Sequence, residues 1–339
     1  MPIASSGAIS FSDLRTEFVG GSSAISFADL YRGGSNVRAK ANDNTGVNLA
    51  AAVPANGPIS VQNFLGTAKG FRFTFTSGAT NQSAATIFGD DYDLNYPKEI
   101  VINAGVELGA TSTSEEALEI PAGGAGAITV TNNGTLSGAG GAAGQAGGDA
   151  FETAVAVTLI NNGVIRSGGG GGGTGGQGSY TTSSTSGPIY SYPYGYKYTF
   201  RLFMGYQASG WWNNYYYGSA NTTTGFTGND GNYYSKGPYQ TYDDPFYLYS
   251  VSRTTYTTNY SNGGTGGVGQ GYNQSATSGS GGGTNAGTGG AGASYGQAGG
   301  SGVNGNYTNG AGGGAAGASV RGYSNVTLTQ NGSFLGAVA

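Results

Sequence analysis

The chain has 339 residues, 69 of them glycine, with only 9% charged residues and a net charge of −4. That length holds two or three domains, and the missing basic face excludes the electrostatic footprint of nucleic-acid binding. Cysteine and histidine are both absent, which removes disulfides, Cys/His zinc sites, thiol nucleophiles and any Ser-His-Asp triad. No apolar run approaches the roughly 18 residues of a membrane span. Met1-Pro2-Ile3-Ala4-Ser5 has neither the basic region nor the apolar core of a secretory signal. No cofactor, metal, nucleic-acid partner or membrane insertion is expected.

Residues 1–68 contain a module three times. Ile9-Ser10-Phe11-Ser12-Asp13-Leu14 returns as Ile25-Ser26-Phe27-Ala28-Asp29-Leu30 and, more loosely, as Ile59-Ser60-Val61-Gln62-Asn63-Phe64. Each copy has the spacing of a capping box, with Ser10, Ser26 or Ser60 as N-cap and the preceding isoleucine placed for a hydrophobic staple. Helices of about two turns are predicted, ended by Gly20-Gly21, Gly33-Gly34 and Gly66. Helices so short are marginal alone, so their apolar residues need another surface. Packing on one another as a tiny core is one solution. The other is docking: three similar plugs match the three equivalent grooves of a trimer. The residues expected to attach are Ile9, Phe11, Leu14, Ile25, Phe27, Leu30, Ile59, Val61 and Phe64.

From Phe71 the pattern alternates. Phe71-Arg72-Phe73-Thr74-Phe75-Thr76, Ile100-Val101-Ile102 and Leu118-Glu119-Ile120 read as strands, giving a small β-rich linking domain over 69–122. A second repeat follows. Ile128-Thr129-Val130-Thr131-Asn132-Asn133-Gly134, Val157-Thr158-Leu159-Ile160-Asn161-Asn162-Gly163 and Val326-Thr327-Leu328-Thr329-Gln330-Asn331-Gly332 each end in Asn-Gly, a hairpin or tight-turn signal. Such repeats bury their apolar edges by stacking. The C-terminal copy must therefore return to one compact body after a long excursion.

Glycine concentrates in 121–179 and 261–339 and often recurs every third residue: Gly138, Gly141, Gly144, Gly147; Gly169, Gly172, Gly175, Gly178; Gly287, Gly290, then Gly296, Gly299, Gly302, Gly305. Three residues per turn is the period of the polyproline II helix. A face without Cβ atoms lets backbones approach and exchange amide hydrogen bonds directly. Apart from Pro121 at the edge of the first, proline is absent from both tracts, and no strict Gly-X-Y register is kept, which excludes collagen. Ordered, packed polyglycine II helices are expected over 123–339, in a mostly irregular or all-β fold with strand–Asn-Gly-turn repeats and long aromatic loops.

Between these tracts, 180–260 holds 18 of the 25 tyrosines and both tryptophans. Gly, Pro, Asn and Ser punctuate it as in loops. Tyrosine and tryptophan give large contact area with few rotors and a polar tip, as recognition surfaces require. The candidate receptor-binding residues are Tyr192, Tyr194, Tyr196, Tyr198, Trp211, Trp212, Tyr215, Tyr216, Tyr217, Tyr233, Tyr234, Tyr247 and Tyr249. Shorter interruptions at 272–274, 294–295 and 304–307 read as further loop tips.

Catalytic chemistry is harder to find. Asp90-Asp91-Tyr92-Asp93-Leu94-Asn95 has alternate carboxylates like a calcium loop, but Tyr96 replaces the required glycine and a solvated turn is expected. Glu115-Glu116 and Asp243-Asp244 are sequence neighbours, unlike the facing carboxylates of glycosidases. No Gly-Lys-Ser/Thr follows the glycine runs, so they are not P-loops.

Glycine tracts interrupted by aromatic loops resemble the receptor-recognising adhesins at the tips of T-even-like bacteriophage long tail fibres. The segment Ser6-Gly7-Ala8-Ile9-Ser10-Phe11-Ser12-Asp13-Leu14-Arg15 is similar to the start of many tailed-phage fibre proteins. The resemblance implies a monomeric, non-enzymatic tip in the virion tail, made in the host cytoplasm. Its N-terminal part would attach to a trimeric fibre or baseplate protein. A polyglycine sandwich would display loops to a bacterial outer-membrane protein or surface polysaccharide. Two rivals stand beside it: a polysaccharide depolymerase whose Asn-Asn-Gly repeats are rungs of a β-helical body, and a purely structural fibre component.

Overall fold

The computed structural model describes residues 7–19, 24–31, 47–48, 53–54, 56–65, 70–191, 200–201, 206–207, 210–211, 217–218, 225–227, 233–243 and 246–339. Two compact units result: 1–177 with 262–339, and 178–261. The fold is mostly β with a few short helices.

The first unit is built on a parallel solenoid. Among the described residues it has five rungs of three strands, and equivalent strands pair in parallel into three sheets. The rungs are Phe71–Phe75, Ala79–Thr80, Gln82–Ser83; Lys98–Ile102, Glu107–Gly109, Leu118–Ile120; Ile128–Asn132, Thr135–Ser137, Phe151–Thr153; Val157–Asn161, Val164–Arg166, Ala318–Arg321; and Val326–Gln330, Ser333–Leu335, Ala337–Val338. Strands of the expected 69–122 linking segment therefore share sheets with strands of the glycine-rich segment. Register stacks like on like: Phe73, Ile100, Val130, Leu159 and Leu328 form one column. Ala79, Leu108, Leu136, Ile165 and Phe334 form another. These columns belong to one apolar core inside the coil.

The Asn-Gly repeats make corners, not hairpins, because the strands on either side of each turn join different sheets. Two asparagine ladders run through the corners. Asn132 Nδ2 donates to Asn161 Oδ1 at 2.9 Å inside the coil, where both side chains are buried. Outside, Asn162 donates to Asn133 at 2.9 Å and Asn331 to Asn162 at 3.1 Å. The following glycine is required because a Cβ on Gly163 or Gly332 would fall within 3.0 Å of the carbonyl oxygen of Gly134 or Gly163.

Apart from Gly123, Gly124 and Gly126, the glycine-rich segments are inserted at one other corner, between the second and third strands of a rung. In the first rung that corner is Asn81 alone, at φ 49°. In the third it is 138–150, and in the fourth it is 167–317. The long insert crosses back and forth as 167–177, 262–271, 274–283, 286–294, 297–305 and 308–317. Hydrogen bonds link the crossings every third residue. Gly169, Gly172 and Gly175 donate to Gln270, Gly267 and Gly264 at 2.8 Å; Gly170, Gly173 and Gly176 donate to Gln297, Gly300 and Val303 at 2.9 Å. The carbonyls of Gly170, Gly173 and Gly176 accept from Ala293, Gly290 and Gly287, and those of Gly168, Gly171 and Thr174 accept from Gly317, Gly314 and Ala311. Segment 138–145 fills the remaining side through Gly141 and Gly144, which donate to Gly169 and Gly172. Segment 167–177 is thus surrounded, which explains its uninterrupted run of glycine at 168–173. A Cβ on any of these six would lie within 3.0 Å of a neighbouring carbonyl oxygen.

The second unit corrects the loop reading of 180–260. Gly178–Ser191, Phe246–Ser261 and Tyr233–Asp243 are long antiparallel strands, joined at the edge by Gly225–Thr227. Thr and Tyr favour strands, but here they and Ser occupy both faces, so no apolar-polar alternation marks them.

Gly172→Ala is expected to destabilise the first unit on the order of 1–3 kcal/mol or more, the scale of overpacking. Gly281→Ala and Gly312→Ala, where a Cβ meets nothing within 4 Å, should be neutral or stabilise by up to about 1 kcal/mol. Denaturant titration of the three variants checks the contrast.

Candidate functional site

At the N-terminus all three capping boxes form. Asp13 Oδ2 accepts from Ser10 N at 2.6 Å, Asp29 Oδ2 from Ser26 N at 2.7 Å, and Asn63 Oδ1 from Ser60 N at 2.8 Å. These bonds hold the Asp13 and Asp29 carboxyls below their usual range, the serine backbone N–H contributing most. The second and third modules are single 3-10 turns, Phe27–Leu30 and Val61–Phe64, while the first continues from Phe11–Leu14 through a π-turn to Val19. Their expected glycine stops, Gly20-Gly21, Gly33-Gly34 and Gly66, lie outside the described residues.

The modules pack on one another. Leu14, Leu30 and Phe64, the equivalent position of each copy, are buried in one cluster with Phe18 and Val53. The staple residues Ile9, Ile25 and Ile59 pack against it, as do Phe27 and Val61. Phe11 meets Phe27 edge-on at 4.6 Å and stays 39% exposed. The candidate attachment residues therefore separate into a shared interior and a half-buried rim.

Of the aromatic candidates, Tyr192, Tyr194, Tyr196, Tyr198, Trp212, Tyr215 and Tyr216 lie outside the described residues. Trp211 pairs with Tyr206 and Tyr217 with Arg201 in short two-stranded ribbons. Tyr233 and Tyr234 stand opposite Thr254 and Arg253, Tyr247 opposite Tyr242, and Tyr249 opposite both Ser191 and Tyr239. These six are strand positions, not loop tips.

The short interruptions differ among themselves. Turns 271–274 and 294–297 lie at the solenoid end of the glycine crossings. There the Tyr272 ring covers Gly109, leaving no room for a Cβ. The Arg166 guanidinium lies 4.0 Å over the Tyr295 ring, a cation–π contact, while also pairing with Glu107 at 2.9 Å and Ser137 at 2.8 Å. Tyr272 and Tyr295 are thus anchors, which corrects their reading as tips. At the opposite end, turns 283–286 and 305–308 sit beside Gln177 and Asn262, where the second unit departs. Gly283 N donates to Asn262 O at 3.0 Å, Thr308 N to Gln177 O at 3.1 Å and Asn306 N to Asn285 O at 3.1 Å. Tyr307 is 55% exposed there.

The Asp90–Asn95 stretch is a turn solvated only in part: Asp90, Asp93 and Asn95 are exposed. Asp91 and Tyr92 are buried, and the cation beside them is the chain's own. Lys98, buried inside the coil, donates from Nζ to the carbonyls of Leu94, Tyr96 and Ala125 at 2.6, 3.2 and 2.5 Å. Burial lowers its pKa, opposed by Asp91 and Asp93. Burial also pushes the Tyr92 hydroxyl up to about 12, and that hydroxyl donates to Pro121 O. Elsewhere, Glu116 is pushed up to about 7 by burial, then by a hydrogen bond to Glu152 and the charges of Glu152, Glu119 and Asp149. Arg321 pairs with Asp149 nearby. Glu116 and Glu152 are thus neighbours whose negative charges oppose one another. Among the described residues no acidic group forms a metal-binding cluster, and no helix is long and apolar enough to cross a membrane.

Residues 70–339 match the family model of the phage tail fibre adhesin Gp38. The crystal structure of the gp37-gp38 adhesin tip complex of the bacteriophage S16 long tail fiber is similar at 17% identity and a TM-score of 0.41, covering 86% of this chain and 90% of that one. No curated protein matches. The chain belongs to the phage tail fibre adhesin Gp38 family, whose place is the virion tail.

Because Glu116 holds its proton up to about pH 7 in the fold but only to about 4.5 when unfolded, its stabilising effect is full below 4.5 and lost as pH rises through 7. Glu116→Gln should therefore make stability less dependent on pH between 5 and 8, with the largest gain at pH 8. Melting temperatures across that range check it.

Proposed function

We propose that the protein is a non-enzymatic tail-fibre tip adhesin. It attaches to a trimeric fibre or baseplate protein of its own virion by the N-terminal modules. It recognises a bacterial outer-membrane protein or surface polysaccharide through the 178–261 unit, with the exposed turn at 304–307 as a further contact. The period-three crossings are read as polyglycine II helices packed as a sandwich. The observation that carries this reading is the organisation of the long insert. Its solenoid-end turns are tied down by Tyr272 and Tyr295. Its other end carries the exposed turns 283–286 and 305–308, beside Gln177 and Asn262. A rigid backbone array with one anchored and one exposed end is a display scaffold, and avidity from several fibres lets each contact be weak.

The rim of the N-terminal cluster, Ile9, Phe11, Ile25, Phe27, Ile59 and Val61, is the surface offered for attachment. Leu14, Leu30 and Phe64 hold the three modules in register behind it.

Fluorescent protein applied to a bacterial panel tests the adhesin reading. Excising 180–260 is expected to abolish decoration of the strain bound by the parent protein while leaving the first unit's melting transition in place. Combined Phe11→Asp, Phe27→Asp and Val61→Asp should leave decoration by free protein intact and remove the protein from purified virions. Retained decoration after excision would refute receptor recognition by this unit, and retained incorporation would refute docking by the rim.

A further inference from the structure

Four strands of the second unit, Gly178–Ser191, Phe246–Ser261, Tyr233–Asp243 and Gly225–Thr227, lie side by side in that order. Register fixes one row across all of them. Ser186 stands opposite Arg253, Arg253 opposite Tyr234, and Tyr234 opposite Phe226. Directly opposed residues share a face, so these four positions belong to one side of the sheet. Alternation along the strands adds Lys236, opposite Val251, and Thr255, opposite Ser184, to the same side.

Arg253 is the residue that this arrangement leaves unsatisfied. It is half-buried, and its Nε, shut off from water, has no hydrogen-bond partner. Among the described residues the ion-paired arginines are Arg72, Arg166 and Arg321, and the guanidinium resting on a ring is that of Arg166. Arg253 has neither kind of partner. A buried donor on a charged group is costly to leave unpaired, so an orphan of this kind calls for a group from outside the chain. The four strands contain one acidic residue, Asp243, which stands opposite Phe246. Seven strand residues, about 23 Å, separate Phe246 from Arg253. Arg253 and Lys236 thus put two cationic positions on one face, in a chain whose net charge is −4. Beside Arg253 the face bears hydroxyls: Ser184 and Thr257 are exposed and Thr255 is half-buried.

We infer that this face binds an acidic polysaccharide, with the anionic group of one sugar held in the fork of Arg253 and sugar hydroxyls bonded to Ser184, Thr255 and Thr257. A guanidinium meets a carboxylate or a phosphate through two parallel hydrogen bonds, which an ammonium cannot do. Side-chain hydroxyls both donate and accept, as sugar hydroxyls do. The described positions around Arg253 carry hydroxyls and no hydrocarbon side chain, which suits a glycan better than a loop of an outer-membrane protein. The row continues into two aromatic positions, Tyr234 and Phe226, and aromatic residues are the type that takes the apolar face of a pyranose. The assignment rests on the adhesin reading of the second unit and names its ligand class and central contact residue.

The test uses full-length protein and surface polysaccharide extracted from a strain that the protein decorates. The polymer is presented native, carboxyl-reduced, dephosphorylated, and after both treatments, with affinity measured by biolayer interferometry. Arg253→Gln should weaken binding to the native polymer roughly tenfold or more, the scale of a lost charge-assisted hydrogen bond. It should also flatten the fall of affinity with rising salt. Arg253→Lys should lie between the two, because it keeps the charge and loses the fork. Circular dichroism of each variant confirms that the strands persist. Affinity lost on carboxyl reduction would support a sugar carboxylate as the anion, and affinity lost on dephosphorylation a phosphate. Undiminished binding to the doubly treated polymer would overturn the anionic ligand, and unchanged binding by Arg253→Gln would overturn the site. Decoration of cells without any binding to the native polymer would overturn the ligand class and leave the adhesin reading standing. Decoration of no strain at all by the parent protein would bring down that reading itself.

Discussion

A backbone carbonyl resting where a Cβ would otherwise sit is the contact on which this molecule depends. Around segment 167–177 it recurs on every side, and it dictates glycine at 168–173 without exception. Such closeness lets amide groups of adjacent crossings bond to each other at 2.7–3.1 Å, so the insert satisfies its polar backbone without side-chain packing. The surrounding crossings need glycine only on the side that meets a neighbour. Their remaining positions carry Ser, Thr, Val and Asn, and a step of three results.

The solenoid beneath obeys the opposite rule. Its interior is filled by columns of Ile, Leu, Val and Phe, and its corners by asparagine ladders whose buried amides find partners in the next rung. An apolar core and a backbone-bonded array are joined by side chains that belong to both. Tyr295 under Arg166 is such a joint, and Tyr272 over Gly109 is another. The N-terminal modules form a third, separate kind of packing, in which each capping box orients one large apolar residue toward a shared centre.

Much of this was legible in the residues. The capping boxes announced themselves through Ser and Asp or Asn at fixed spacing, because a cap is a local interaction. Stacking of the Asn-Gly repeats was also visible, since every copy carries the same apolar alternation. That Asn-Gly turns corners between sheets was not, because the local geometry is the same and only the partner strand differs. Tyr272 and Tyr295 looked like loop tips because a tyrosine beside a turn has the same sequence signature whether it anchors or displays. The ribbon of the second unit was hidden by its solubility: with hydroxyl residues on both faces it has no hydrophobic period. Lys98 offered no signal, since only the fold brings three carbonyls to its ammonium.

One property of the crossings has thermodynamic weight. An assembly held by amide bonds between glycines removes little apolar surface from water, and the heat capacity released on melting scales with that surface. The array should therefore have a shallow stability curve, losing little strength in the cold or warmth where an apolar core of equal length weakens. A virus particle waiting outside its host meets wide swings of temperature, and the glycine array is the part of this chain least sensitive to them.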